Sequence, residues 1–154
     1  MSDIFNFHME WEGIEEMNER FDKMDKATAK NTVHAMAENT EALLGKSMRI
    51  APLDEGTMIG SASAKVNQVE VARGNRDGST TMSSSKPSAK PGQTIVGEVS
   101  YNVPYAARQH EDLTLKHKPG KQAKYLEQPL KEFVTRFMEN IRDAMSKGMK
   151  EGSK

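Results

Sequence analysis

Two stripes of apolar residues with helical spacing stand near the two ends of the chain. Apolar side chains recur at steps of three and four over residues 11–44 and again over residues 126–144. This spacing is typical of amphipathic helices that bury one face. The first helix is expected to end near Ile50, because Pro52 disfavours helical geometry in the residue before it.

The segment between the two stripes carries strand and turn signals. The stretch "SASAKVNQVEVA" alternates loosely and predicts one strand with a bulge. The stretch "QTIVGEVSYNV" predicts a second strand that ends at Pro104, and "YAARQHE" predicts a helical turn after it. Before these strands, Asp54 is expected to cap a short turn with its carboxylate.

Two further segments are expected to lie outside the core. Residues 74–92, "GNRDGSTTMSSSKPSAKPG", contain too little apolar area to offset the entropy of ordering, which predicts a long mobile loop between two strands. Residues 1–9 include apolar side chains without helical spacing, which indicates an extended arm.

These elements predict an α+β fold in a single domain spanning residues 1–154. A small, mostly antiparallel sheet would pack with a long N-terminal helix and a C-terminal helix. Hydrophobic residues make up only 36% of the chain, which predicts a thin core. A thin core favours burial of further surface against other subunits.

The charge and cysteine content exclude several classes of protein. Lysine plus arginine and aspartate plus glutamate number 22 each, so the whole chain has no electrostatic preference for nucleic acid or membrane. The absence of cysteine excludes disulfides and thiolate chemistry. No apolar run is long enough to span a bilayer and the first residues do not resemble a signal peptide, so the cytoplasm is the expected site of synthesis and assembly.

One cluster of side chains has the composition of a metal site. His110, Glu111, Asp112 and His117 lie close together in the sequence, but they form no helical His-x-x-x-His pair and His117 lies among lysines. No nucleophile elbow and no phosphate-binding glycine loop is present either. The sequence therefore predicts a protein that is not an enzyme and has no cofactor and no metal site.

The basic stretch "KHKPGKQAKY" leaves a second possibility open. Its four lysines, Lys116, Lys118, Lys121 and Lys124, could contact phosphates without reading base sequence. A small DNA-binding module therefore remains an alternative, and its affinity would depend strongly on salt.

Three stretches, taken in order, resemble a known family. They are "APLDEGTMIGSASAKV", "VGEVSYNVPYAARQHE" and "HKPGKQAKYLEQPL". Over residues 30–145 the chain resembles the neck and tail-completion proteins of long-tailed bacteriophages, also described as head–tail joining or minor capsid proteins. The matching positions are Pro52, Asp54, Gly56 and Ser61, then Tyr105, Ala106, His110 and Glu111, and then Pro119, Gly120, Tyr125 and Leu126. Glu55 intervenes between Asp54 and Gly56, so the glycine comes one position later than is usual in the family.

The resemblance implies a non-enzymatic virion protein of the head–tail connector. It would form a ring of identical subunits, a hexamer on the virion, between head-completion and tail proteins, and DNA would pass through it. A tail terminator or another minor capsid component is the alternative within the same virion. The residues expected at subunit or partner contacts are Tyr101, Tyr105, Arg108, His110, Glu111, Lys116, Lys118, Lys121 and Lys124. For Tyr101 and Tyr105, filling of the protein's own core is an equal alternative.

Overall fold

The structure is a computed structural model that describes residues 5–9 and 26–152. The elements in chain order are β1 (Phe5–Met9), α1 (Lys26–Ile50), α2 (Thr57–Gly60), β2 (Ala62–Val66), β3 (Val69–Gly74), β4 (Thr80–Met82), β5 (Gly97–Tyr101), α3 (Ala106–Glu111) and α4 (Glu127–Gly152). The part of the predicted helical stripe over residues 11–25 lies outside the described residues.

The described strands form one five-stranded sheet in the order β1-β5-β2-β3-β4, and every neighbouring pair is antiparallel. The long helices α1 and α4 pack with this sheet, and the predicted α+β fold is confirmed. Helix α1 ends at Ile50, as Pro52 predicts. The predicted arm includes β1, which pairs with β5 at one edge of the sheet.

The two faces of the sheet differ in polarity. On one face, Ala62 lies opposite Tyr101 and Ala64 lies opposite Val99, and all four side chains belong to the buried core. On the other face, Ser63 lies opposite Ser100 and the two hydroxyls are 3.2 Å apart. The apolar face packs on α1, because apolar area removed from water stabilises the fold.

Helices α1 and α4 cross at very short range near Gly148. A Cβ atom at this position would lie 2.3 Å from the Cα atom of Thr28, so only glycine permits the contact. Farther along the interface, the Nδ2 amide of Asn39 donates to the carbonyl of Phe137 over 3.0 Å. The Asn39 side-chain oxygen accepts from Nδ2 of Asn140 over 2.9 Å, so the buried amide is hydrogen-bonded on both sides.

Two sequence predictions in the sheet are wrong in detail. The stretch predicted as one strand forms two strands, β2 and β3, joined by Asn67 and Gln68, whose φ values of 48° and 68° are those of a two-residue hairpin turn. The predicted bulge is confirmed as a register shift between Ala64 and Lys65. The segment predicted as a loop throughout contains β4, which pairs with β3.

Candidate functional site

The three stretches that carry the family resemblance meet around one groove on the surface. The groove has a volume of about 620 Å³ and lies between the turn that leads into α2 and the start of α3. We call it the Tyr105 groove, and its lining includes Asp54, Glu55, Met58, Tyr105, Gln109 and Lys118. Its volume is in the range of ordinary binding pockets in proteins.

Gly56 shapes the turn at one wall of the groove. Its φ of 75° is left-handed, and a Cβ atom at this position would lie 2.2 Å from the carbonyl oxygen of Arg76. A glycine is required for both reasons. Gly56 is also the residue before α2 and offers no side-chain cap, so the predicted capping role of Asp54 is wrong. The Asp54 carboxylate lies instead 3.2 Å from Nζ of Lys118 across the groove.

Tyr105 forms the aromatic wall of the groove. It precedes α3 directly, and 45% of its surface is exposed. The end of β5 next to it is held to the turn after α2, because the backbone N–H of Asn102 donates to the Ser61 hydroxyl over 3.1 Å. That hydroxyl donates in turn to the Met58 carbonyl over 2.6 Å. These bonds place an exposed aromatic ring beside a hydrogen-bonded turn.

Tyr101 lies in the chain's own core, unlike Tyr105. Its hydroxyl is 2.8 Å from the Ser47 hydroxyl, and its ring meets the ring of Tyr125 edge to face at 5.0 Å. Burial raises the pKa of both phenols far above the usual range. The Tyr125 hydroxyl donates to the Ala106 carbonyl over 2.7 Å. Of the two tyrosines that the sequence left undecided, Tyr101 fills the core and Tyr105 faces solvent.

His110 is buried and hydrogen-bonded on both sides of its ring. The backbone N–H of Glu127 donates to Nε2 over 3.3 Å, so Nδ1 carries the proton and donates to Oε1 of Glu111 over 2.6 Å. Burial lowers the pKa of His110 although Glu111 opposes this shift. The imidazole is therefore neutral at pH 7 and connects α3 to the first residue of α4. This arrangement is that of a structural anchor.

Several charged residues of the predicted site pair with one another on the surface. Lys124 forms ion pairs with Glu111 and Glu127, and its hydrogen bond to Glu111 holds the pKa of that carboxyl below the usual range. Hydrogen bonds from Lys131 and Lys124 lower the pKa of Glu127 to about 2. These ion pairs neutralise charged groups that would otherwise be available to a partner.

The basic stretch is also largely engaged within the chain. Lys121 Nζ donates to the Arg49 carbonyl over 2.8 Å, and Lys118 pairs with Asp54. Arg108, in α3, lies 3.7 Å from the carboxylate of Asp112. Lys116 is exposed. Among the predicted site residues, only Tyr105 and Lys118 line the groove.

The cluster with the composition of a metal site is not assembled as one. No group of three or more His, Asp or Glu side chains within residues 26–152 could hold a metal ion. Asp112 accepts hydrogen bonds from the backbone and hydroxyl of Thr114, which with Arg108 lower the pKa of its carboxyl. His110 is turned toward Glu111 and Glu127.

Sequence reasoning missed Glu55 and Gln109 as groove residues and Ser47 as the partner of Tyr101. Glu55 and Gln109 lie inside the stretches that carry the resemblance, and this is the signal that could have found them. Ser47 gives no such signal, because its role depends on a residue in another element.

None of the helices in the described part of the chain has the length and apolar composition needed to cross a lipid bilayer. No family model, curated protein or solved structure matches the chain.

Proposed function

We propose that this protein is a non-enzymatic structural subunit of a phage head–tail connector, a neck or tail-completion protein that assembles as a ring. The observation that carries the proposal is the convergence of the three resembling stretches on one surface, the Tyr105 groove. Tyr105 is an exposed tyrosine, and tyrosine is a frequent anchor of protein interfaces. The protein would act by fitting between its neighbours, with no chemical step.

The contacts of the polar residues support a structural role. His110 accepts a backbone N–H at Nε2 and donates at Nδ1. Both ring nitrogens are engaged, so neither is directed at a substrate position, which a general base requires. Glu111 is engaged by Lys124 and His110.

The partners in this proposal are further copies of the chain, as a hexamer on the virion, with head-completion proteins on one side and tail proteins on the other. A tail terminator or minor capsid role in the same virion would use the same surface. A DNA-binding role has less support, because Lys121 and Lys124 are engaged within the chain. The lysines could still face passing DNA without reading its sequence.

Electron cryo-microscopy of the virion, and of particles made without this protein, tests the proposal. We expect a ring of density between head and tail in the complete virion, and separated heads and tails when the protein is absent. Joined, complete particles in its absence would rule out the neck assignment. Salt-dependent binding of DNA, with a slope reduced by Lys116→Gln and Lys118→Gln, would then favour the DNA-binding alternative.

A matched pair of substitutions links the groove to assembly. Tyr105→Ala removes the exposed ring, and Leu113→Ala removes a side chain that is 74% exposed and lies outside the groove. Supplied in place of the natural protein, Tyr105→Ala should lower the yield of joined particles at least about tenfold, the effect of losing an interface anchor. Leu113→Ala should leave the yield unchanged. Equal yields from both variants would show that the groove takes no part in joining head and tail.

A further inference from the structure

The Tyr105 groove has an acidic wall. Asp54 and Glu55 are both exposed there, and Lys118 is the groove's cation. The pair between Lys118 and Asp54 has little strength, because the Asp54 side chain is 92% exposed. Glu55 forms no ion pair with any residue in the described ranges. The groove therefore offers an aromatic ring next to a carboxylate that a cation could neutralise.

A basic, proline-containing segment stands elsewhere on the same molecule. We call residues 83–93 the Lys-Pro segment, because it contains the repeated dipeptides Lys86-Pro87 and Lys90-Pro91. Both lysines are exposed, and residues 85–90 form neither helix nor strand. No acidic residue occurs between Asp77 and Glu98, so the positive charge is uncompensated along the segment. Proline holds φ near the extended value and lowers the entropy lost on binding.

The Lys-Pro segment and the Tyr105 groove lie at opposite ends of the sheet. Asn67, in the turn after β2, donates from Nδ2 to the Ser88 carbonyl over 3.3 Å and accepts from the Val96 N–H over 2.9 Å. The groove lies beside Ser61, before the start of β2. Strand β2 separates the two sites by about 15 Å. The segment is therefore held away from the groove of its own chain.

We propose that the Lys-Pro segment of one copy docks in the Tyr105 groove of a second copy. Lys86 and Lys90 then face Asp54 and Glu55, and a proline ring packs on Tyr105. Extended proline-rich segments bind aromatic-lined grooves in this manner. The contact joins two different surfaces of neighbouring copies, so it is heterologous, and its repetition builds a ring when the rotation between successive copies closes on the first. This inference rests on the proposed ring assembly and names the contact that builds the ring.

The first test uses a synthetic peptide of residues 83–93 and the full-length chain labelled with ¹⁵N. We expect the peptide to shift the NMR signals of Glu55, Tyr105 and Gln109, with a Kd of about 1 mM or below. Asp54→Lys together with Glu55→Lys should weaken binding at least about tenfold, and a peptide with glutamate at both lysine positions should bind as weakly. Absence of shifts in the groove at a peptide concentration of about 5 mM would overturn the proposal.

A second test examines the same contact between whole chains. The labelled chain carries Lys86→Glu and Lys90→Glu, which leaves its groove intact, and the unlabelled chain carries Asp54→Lys and Glu55→Lys, which leaves its segment intact. Mixing should shift the groove signals of the labelled chain and produce dimers only, because each chain retains one half of the contact. The same mixture with Arg136→Glu and Lys147→Glu added to the unlabelled chain should behave identically, since both residues are exposed on α4.

Signals of the groove that do not respond to mixing would overturn the docking contact. A failure of the neck assignment is detected separately, by microscopy of the virion. Ring density at the neck without NMR shifts of the groove signals would place the ring contact elsewhere on the molecule. Docking in solution without ring density would leave the contact valid and remove the neck role.

Discussion

Nε2 of His110 accepts the backbone N–H of Glu127 at 3.3 Å, so a buried imidazole connects the short helix α3 to the first residue of the long helix α4. Protonation of Nε2 would place two donors against each other and a positive charge at the N-terminal end of a helix, where cations are unfavourable. Burial lowers the pKa of His110 for the same reason that it disfavours any charged form.

We therefore predict that stability decreases as the pH falls below about 6.5. The unfolded chain binds a proton on His110 at a higher pH than the folded chain does, so acid favours unfolding between the two pKa values. One such proton changes the free energy of unfolding by at most about 1.4 kcal/mol per pH unit. Urea unfolding from pH 5 to pH 7.5 measures this slope.

Two histidine variants test whether His110 causes this dependence of stability on pH. His110→Gln should reduce it, because glutamine stays neutral throughout the range. His34→Gln is the matched control, since His34 is 76% exposed and pairs with Glu38 on the surface. The carboxyl groups of Glu111 and Glu127 have lowered pKa values, so their protonation changes the stability at lower pH than that of His110. An unchanged slope in His110→Gln would contradict the anchoring role.

The crossing of α1 and α4 depends on the missing side chain of Gly148. Gly148→Ala should lower the free energy of unfolding by about 1–3 kcal/mol, because its Cβ atom would lie 2.3 Å from the Thr28 backbone. Gly45→Ala is the matched control: this glycine is inside α1 and a Cβ atom there meets nothing within 4 Å. That substitution should stabilise the protein by up to about 1 kcal/mol, through helix propensity alone. Urea unfolding distinguishes the two, and equal effects would contradict the close crossing.

The turn at the groove should tolerate no side chain at Gly56. Gly56→Ala combines a left-handed φ with a Cβ atom 2.2 Å from the Arg76 carbonyl oxygen. Gly78→Ala meets a left-handed φ of 88° but open space, so it isolates the conformational cost of about 1 kcal/mol. Thermal unfolding should show a larger loss for Gly56→Ala than for Gly78→Ala. Equal losses would mean that the Arg76 backbone moves away at no cost.

The buried hydroxyl pair of Tyr101 and Ser47 should behave as a coupled unit. Tyr101→Phe leaves the Ser47 hydroxyl without its 2.8 Å partner in the core and should cost about 1–2 kcal/mol. Ser47→Ala should cost a similar amount, and the double variant should cost less than the sum. A double-mutant cycle from urea unfolding gives the coupling energy. Strict additivity would show that the hydroxyls do not interact.

Local patterns in the chain were sufficient for most of the secondary structure. The end of α1 before Pro52, the turn of α3 and the apolar face of α4 follow from spacing and proline, which act between residues close in sequence. The separation of β2 from β3 was missed because Asn67-Gln68 is an unusual pair for a turn with two positive φ values. The pairing of β4 was missed because Thr80–Met82 is short and polar.

The placement of the site residues depends on contacts between distant parts of the chain. Tyr101 and Tyr105 are close in sequence, yet Tyr101 bonds to Ser47 in the core and Tyr105 faces the solvent across from Asp54 and Lys118. In the sequence, His110 belongs to a cluster with the composition of a metal site. Its role as a structural anchor is visible only in the fold, where the N–H of Glu127 donates to its ring. The chain's pattern establishes the long helices and most of the strand-forming segments, because helix period and turn chemistry are local. Burial, pKa and the groove itself arise when those elements pack, because each depends on which side chains the fold brings within a few ångströms of one another.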